Sequence, residues 1–108
     1  MNNLFSSTAL DGEVALVTGA SRGIGAAIAQ ALGAAGARVI GTATSKPGAA
    51  SIGDALGDRG RGVVLNIADE DSVAAAIKDI QENEGSPSIV VNNAGITRDQ
   101  LLMRMKEE

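Results

Sequence analysis

A chain of 108 residues is one domain at most, and a chain of this size buries only roughly two thirds of the surface it exposes when unfolded. The net charge of −4, with no basic cluster, argues against nucleic acid and anionic membrane as partners, since both require a concentrated positive surface. There is no cysteine and no histidine, which excludes disulfides, thiolate metal ligands, a Cys nucleophile and a His base.

The first ten residues, MNNLFSSTAL, lack both a charged n-region and a sustained apolar stretch, so no secretory signal is expected. No uncharged apolar run approaches the roughly 20 residues of a membrane helix, and the sequence reads as cytoplasmic. Residues 1–12 are expected to form an N-terminal tail. Hydrophobic residues make up 44% of the chain and aromatics 1%, so the core must be built from Ala, Val, Ile and Leu, a composition suited to close helix-on-sheet packing.

Val14 to Thr18 (VALVT) is a short apolar run ending in a glycine turn, as a buried parallel strand does. From Gly23, the residues Ile24, Ala27, Ile28, Ala31, Leu32 and Ala35 follow the spacing of one helix face, expected to turn inward. Gly36 is placed to end that helix. A second strand is expected over Ala37 to Thr44, and a helix weakened by Gly48 and Gly53 over Pro47 to Leu56. Gly62 to Asn66 (GVVLN) reads as a third strand. Asp69 then suits an N-cap, with Glu70 and Asp71 in the first turn of a helix that buries Val73, Ala76, Ile77 and Ile80. Gly85 and Pro87 break the chain before a fourth strand, Ser88 to Asn92. The order βαβαβαβ demands a parallel sheet with right-handed crossovers and helices on both faces; the expected fold is a doubly wound Rossmann-type α/β sheet of strand order 3-2-1-4, present as its incomplete N-terminal portion.

The strand-to-helix junction TGASRGIG, Thr18 to Gly25, has the chemistry of a phosphate site: backbone N–H groups at a positive helix end, with no Cβ atoms in the way. Gly19 permits the tight turn, Gly23 the close approach of a phosphate, and Gly25 the packing of helix on strand. With 14 glycines in the chain, a trio can also be a plain turn, but its place between a strand and a helix is what a dinucleotide site requires. A mononucleotide P-loop is ruled out because no Lys-Ser or Lys-Thr follows the glycines. An NAD site calls for a carboxylate near the end of the second strand, and Ile40 to Lys46 (IGTATSK) has none. Arg22 can supply a cation to a 2′-phosphate, with Thr42 and Thr44 as hydroxyl donors, which favours NADP(H). Alternatively Arg22 is a solvated loop residue and Thr42 a strand filler. Asn66 and Ile67, at the same sheet edge, either meet an adenine or, for Asn66, serve their own turn. Asp69 reads as a cap rather than a ligand.

TGASRGIG together with NNAG, Asn92 to Gly95, resembles the short-chain dehydrogenase/reductase family, in which both motifs line the cofactor cleft. NNAGITRDQLLMRMK, Asn92 to Lys106, and VIGTATS are similar to the branch that reduces 3-oxoacyl thioesters of acyl carrier protein in bacterial fatty-acid synthesis. The likeness runs from about residue 11 to the last, and makes 13–108 the N-terminal, dinucleotide-binding part of a single Rossmann domain.

The resemblance implies that Gly19, Ser21, Arg22 and Ile24 contact the phosphates and ribose of NADP(H), with Thr44 near the 2′-phosphate. It places Asn66 and Ile67 near the adenine, and Asn93, Ala94 and Gly95 along the nicotinamide-side ribose. Asn92 would bridge strands. It also implies an acyl-carrier-protein substrate, a homotetramer, and a Tyr proton donor in Tyr-x-x-x-Lys. The chain contains no Tyr, so by itself it is expected to be inactive. Three readings remain: the N-terminal part of such a reductase, a reductase of another carbonyl, and a self-standing nucleotide-binding module, whose open apolar fourth strand would invite aggregation.

Overall fold

The computed structural model describes residues 9–93, in the order β1 (Val14–Val17), α1 (Gly23–Ala34), β2 (Arg38–Ala43), α2 (Lys46–Leu56), a 3₁₀ turn (Gly57–Arg59), β3 (Gly60–Val64), α3 (Glu70–Asn83) and β4 (Ile89–Val91). The strands form one sheet in the order β3-β2-β1-β4, and every neighbouring pair is parallel. The expected α/β topology is the one observed.

Alternate side chains of each strand point to opposite faces, and each face has its own core. Ala15, Val17, Val39 and Ala43 meet Ala29 and Leu32 of α1 and Ile52 and Leu56 of α2 on one side. Leu16, Ile40 and Val63 meet Val73, Ala76, Ile77 and Ile80 of α3 on the other. At roughly 1.5–3 kcal/mol for each large apolar side chain removed from water, the inward row of α3 is enough to hold that helix to the sheet.

Strands β1, β2 and β4 and helix α2 differ from expectation by a single residue at one or both ends, and three larger differences have physical causes. In α1 the buried residues are Gly25, Ala29, Leu32 and Gly33, whereas Ile24 is 74% exposed and Ala27 and Ala31 also face out. The helix is apolar on nearly all sides, so periodicity does not choose its face. The choice is made at Gly25, where a Cβ would fall on the carbonyl oxygen of Gly19, and only a glycine can meet the strand that closely. Secondly, β3 runs from Gly60 to Val64 rather than from Gly62 to Asn66. Gly60 and Gly62 belong to the strand because Cβ atoms there would strike the Val39 and Ala49 carbonyls, so they are the surface on which α2 and β2 come close. Thirdly, Leu10 is drawn in from the expected tail. Its N–H donates to the Ala35 carbonyl at 2.8 Å, and its side chain rests on the α1–α2 core.

Candidate functional site

At the carboxyl edge of the sheet, chain reversals after β1, β2, β3 and β4 enclose a cleft of about 420 Å³ lined by Gly19, Ser21, Arg22, Thr42, Ala43, Thr44, Leu65, Asn66, Ile67, Ala68 and Asn93. Crevices at this edge, where neighbouring crossovers leave the sheet on opposite faces, are where doubly wound folds take ligands. Of the expected site residues, Gly19, Ser21, Arg22, Thr44, Asn66, Ile67 and Asn93 are brought together on its wall. Gly23 and Gly25 instead shape the turn. Ile24 projects from the first turn of α1 and is 74% exposed. Ala94 and Gly95 lie outside the described residues.

The glycine turn is built as its sequence requires. Gly19 and Gly23 both have φ of 64°, a left-handed conformation that side chains resist. The Gly19 N–H donates to Thr42 Oγ1 at 3.3 Å, and the Ala20 N–H to the Thr42 carbonyl at 2.9 Å. The residue before α1, Arg22, makes no side-chain cap, and no acidic residue stands in the first turn. The leading N–H groups of α1 therefore point outward with their partial positive charge uncompensated by any side chain. The other helices are capped: α2 by Ser45, whose Oγ accepts from Gly48 N at 3.1 Å, and α3 by Asp69, whose Oδ1 accepts from Asp71 N at 3.0 Å and Ser72 N at 3.3 Å. Asp69 is a cap, as its place in the sequence suggests.

Thr42 has a bracing role besides the two readings its sequence offered. It is 2% exposed, and its hydroxyl is engaged by Gly19, so it braces the turn from the floor of the cleft. Asn66 is used by its own turn, with Oδ1 accepting from Ala68 N at 3.1 Å. This leaves its amide N–H groups as the part of the side chain that can face a ligand. Asn92 bridges strands: Thr18 Oγ1, at the end of β1, lies 3.3 Å from Asn92 Oδ1, to which it donates. Asn93 donates from its backbone N–H to Thr18 Oγ1 at 2.9 Å and from Nδ2 to the Gly19 carbonyl at 3.1 Å. Ala43, Leu65 and Ala68 also line the cleft; apolar residues with no motif of their own, they carry no signal in the sequence.

Arg22 is the sole charged residue among those lining the cleft, and no carboxylate is among them. It is exposed and in no ion pair among the described residues, where the pairs run from Arg38 and Arg61 to Glu84 and Asp79. The described residues contain no group of three His, Cys, Asp or Glu able to hold a metal, and no helix among them is long and apolar enough to cross a membrane.

A glycine turn feeding an uncapped helix, set at the crevice of a parallel 3-2-1-4 sheet, defines a nucleotide-cleft protein of the Rossmann type. The chain belongs to the short-chain dehydrogenase family, whose model matches residues 13–108; members are oxidoreductases that bind nicotinamide cofactors. It is 62% identical over 99 residues to the 3-oxoacyl-[acyl-carrier-protein] reductase FabG of Vibrio cholerae, covering 92% of this chain and 41% of that protein. The FabG proteins of Pseudomonas aeruginosa and Escherichia coli K12 are 60% identical over 102 residues and 58% over 98, covering 92% and 91% of this chain and 41% and 40% of their own. The chain thus spans about two fifths of the length of the curated relatives it matches.

Proposed function

We propose that the full-length protein is an NADPH-dependent reductase of 3-oxoacyl thioesters carried on acyl carrier protein, acting in bacterial fatty-acid synthesis, and that residues 13–108 are its dinucleotide-binding part. The observation that carries the cofactor assignment is the charge of the cleft: Arg22 stands there with no carboxylate among the lining residues. A 2′-phosphate is attracted by that arrangement, whereas an NAD site uses a carboxylate to hold the 2′-hydroxyl. The substrate assignment rests on relatives 58–62% identical.

In this reading the pyrophosphate lies over the N–H groups that open α1, beside Gly19, Ser21 and Gly23, with Ile24 next to the nicotinamide-side ribose and Gly25 packing the helix beneath. Arg22 and Thr44 take the 2′-phosphate. The Asn66 amide and the Ile67 side chain meet the adenine, and Asn93, Ala94 and Gly95 follow the second ribose. When bound, NADPH supplies a hydride to the C3 carbonyl carbon of the thioester, which becomes a 3-hydroxyl on protonation. The family assigns that proton to a Tyr, and these 108 residues contain none. Their part is therefore to bind and orient the dinucleotide, and alone they are inactive. A cytoplasmic homotetramer, which the family resemblance implies, is part of the same proposal.

The test is the full-length protein assayed on acetoacetyl-acyl carrier protein, following loss of NADPH absorbance, with native mass spectrometry for the assembly. Turnover with NADPH and little with NADH is expected. No turnover on the thioester removes the fatty-acid assignment, and equal use of NADH removes the NADP(H) preference.

A further inference from the structure

On helix propensity alone Gly48 and Gly53 both weaken α2, but the structure sets them in different surroundings. A Cβ on Gly53 would meet nothing nearer than the Gly62 backbone nitrogen at 3.8 Å, an ordinary contact. A Cβ on Gly48 would stand 2.8 Å from Ala43 Cβ, 3.2 Å from Ser45 Oγ and 3.7 Å from Ser21 Cβ. Ala43 and Ser21 both line the cleft, as does Thr44 between Ala43 and the α2 cap. The Ala43 methyl cannot rotate aside: it is fixed to the backbone of β2, in register with Val64 of β3. Ser45 Oγ is held where it caps Gly48 N at 3.1 Å. Any side chain at position 48 must therefore lift the first turn of α2, and the Thr44–Ser45 segment moves with it.

We propose that Gly48 is a positioning residue for the adenosine end of the cleft: its missing Cβ lets the first turn of α2 rest on Ala43 beside Ser21, which sets the height of the Thr44–Ser45 rim relative to the glycine turn. The inference rests on the dinucleotide reading of the cleft. Because that reading puts the 2′-phosphate at Thr44 and Arg22, lifting the rim weakens NADPH more than NADH, while the pyrophosphate seat on α1 stays in place.

The experiment titrates NADPH and NADH by cofactor fluorescence against the full-length protein as wild type, Gly48→Ala, Gly53→Ala, and the double variant Gly48→Ala with Ala43→Gly. Gly48→Ala is expected to weaken NADPH about tenfold and NADH less than about twofold. Gly53→Ala, which gains the same helix propensity away from the cleft, keeps wild-type affinities. The double variant, which removes the methyl that the new Cβ would strike, recovers most of the NADPH affinity; it also serves where Gly48→Ala alone does not fold. Wild-type NADPH affinity in Gly48→Ala overturns the proposal. So does an equal loss for both cofactors, or a double variant that folds without recovering the NADPH preference. A wild-type protein that binds neither cofactor is a distinct outcome: it overturns the dinucleotide reading, and this assignment with it.

Discussion

The side-chain amide of Asn93 donates to the carbonyl oxygen of Gly19 at 3.1 Å, tying the end of β4 to the turn after β1. The space it occupies exists because of a third residue: a Cβ on Gly25 would stand 2.6 Å from that Nδ2 and would fall on the same Gly19 carbonyl. Gly25→Ala is expected to cost about 2–3 kcal/mol of stability and to abolish dinucleotide binding, since the Gly19 backbone carbonyl cannot retreat without opening the turn. Asn93→Ala loses one hydrogen bond and costs about 1 kcal/mol. Urea unfolding and cofactor titration on the same samples separate the two; a Gly25→Ala protein as stable as wild type contradicts the packing role.

Arg22→Glu reverses the one charge on the wall of the cleft. NADPH affinity is expected to fall by roughly 10- to 100-fold, the scale of losing a charge-assisted contact and adding a repulsion, while NADH changes by less than about threefold. Raising the salt concentration should narrow the difference for the wild type, because Arg22 is exposed and its attraction is screened. Unchanged NADPH affinity in the variant returns Arg22 to the role of a solvated loop residue.

Far from the cleft, Arg61 of β3 grips the end of α3. Its Nε and Nη2 donate to the two Glu84 carboxylate oxygens at 2.8 and 2.9 Å, and its Nη1 donates to Asp79 at 2.9 Å. The Glu84 side chain is only 6% exposed, so Arg61→Met leaves a nearly buried carboxylate with only Arg38, 3.7 Å away. A loss of about 3 kcal/mol is expected, read as a lower unfolding midpoint at unchanged cofactor affinity. The hydrogen bond to Glu84 is the main cause that holds the Arg61 guanidinium above the ordinary arginine range. A raised pKa gives stability that is present below the unfolded value and lost only as pH climbs through the folded one. Between about pH 7 and about pH 10, then, deprotonation of Arg61 removes none of it.

Asp69→Ala removes the acceptor for two N–H groups of α3 and is expected to cost about 1 kcal/mol. Asp69→Asn, which keeps an acceptor oxygen, should lose a few tenths. Hydrogen exchange of the first turn of α3 reports the effect locally; equal exchange in all three proteins rules out the cap.

Much of this was readable from residue types. The parallel α/β alternation, the Asp69 cap on α3, the inward row Val73, Ala76, Ile77 and Ile80, and the junction at Gly19–Gly25 follow from periodicity and turn chemistry, and the 3-2-1-4 order from the Rossmann-type pattern they fit. What escaped did so for physical reasons. The buried face of α1 is chosen by a backbone contact at Gly25, and a helix apolar on most sides offers periodicity nothing to decide with. The early start of β3 was hidden because Gly60 and Gly62 look like turn residues, although they are the places where a carbonyl from β2 or α2 comes too near for a Cβ. For Asn66 residue type offered both a ligand and its own turn, and its side-chain carbonyl is used by the turn, accepting from Ala68 N; for Thr42, type and position cannot reveal that the hydroxyl oxygen accepts the Gly19 N–H.

That last bond also sorts the cleft into parts that can be rewritten and parts that cannot. Arg22 and Thr44 are exposed on its rim and can be exchanged to retune coenzyme choice, by an engineer or by drift. Thr42, holding the Gly19 N–H at 3.3 Å from below, is shared between preference and architecture. A library that randomises the end of β2 should therefore return new coenzyme specificities from position 44, and mostly collapsed turns from position 42.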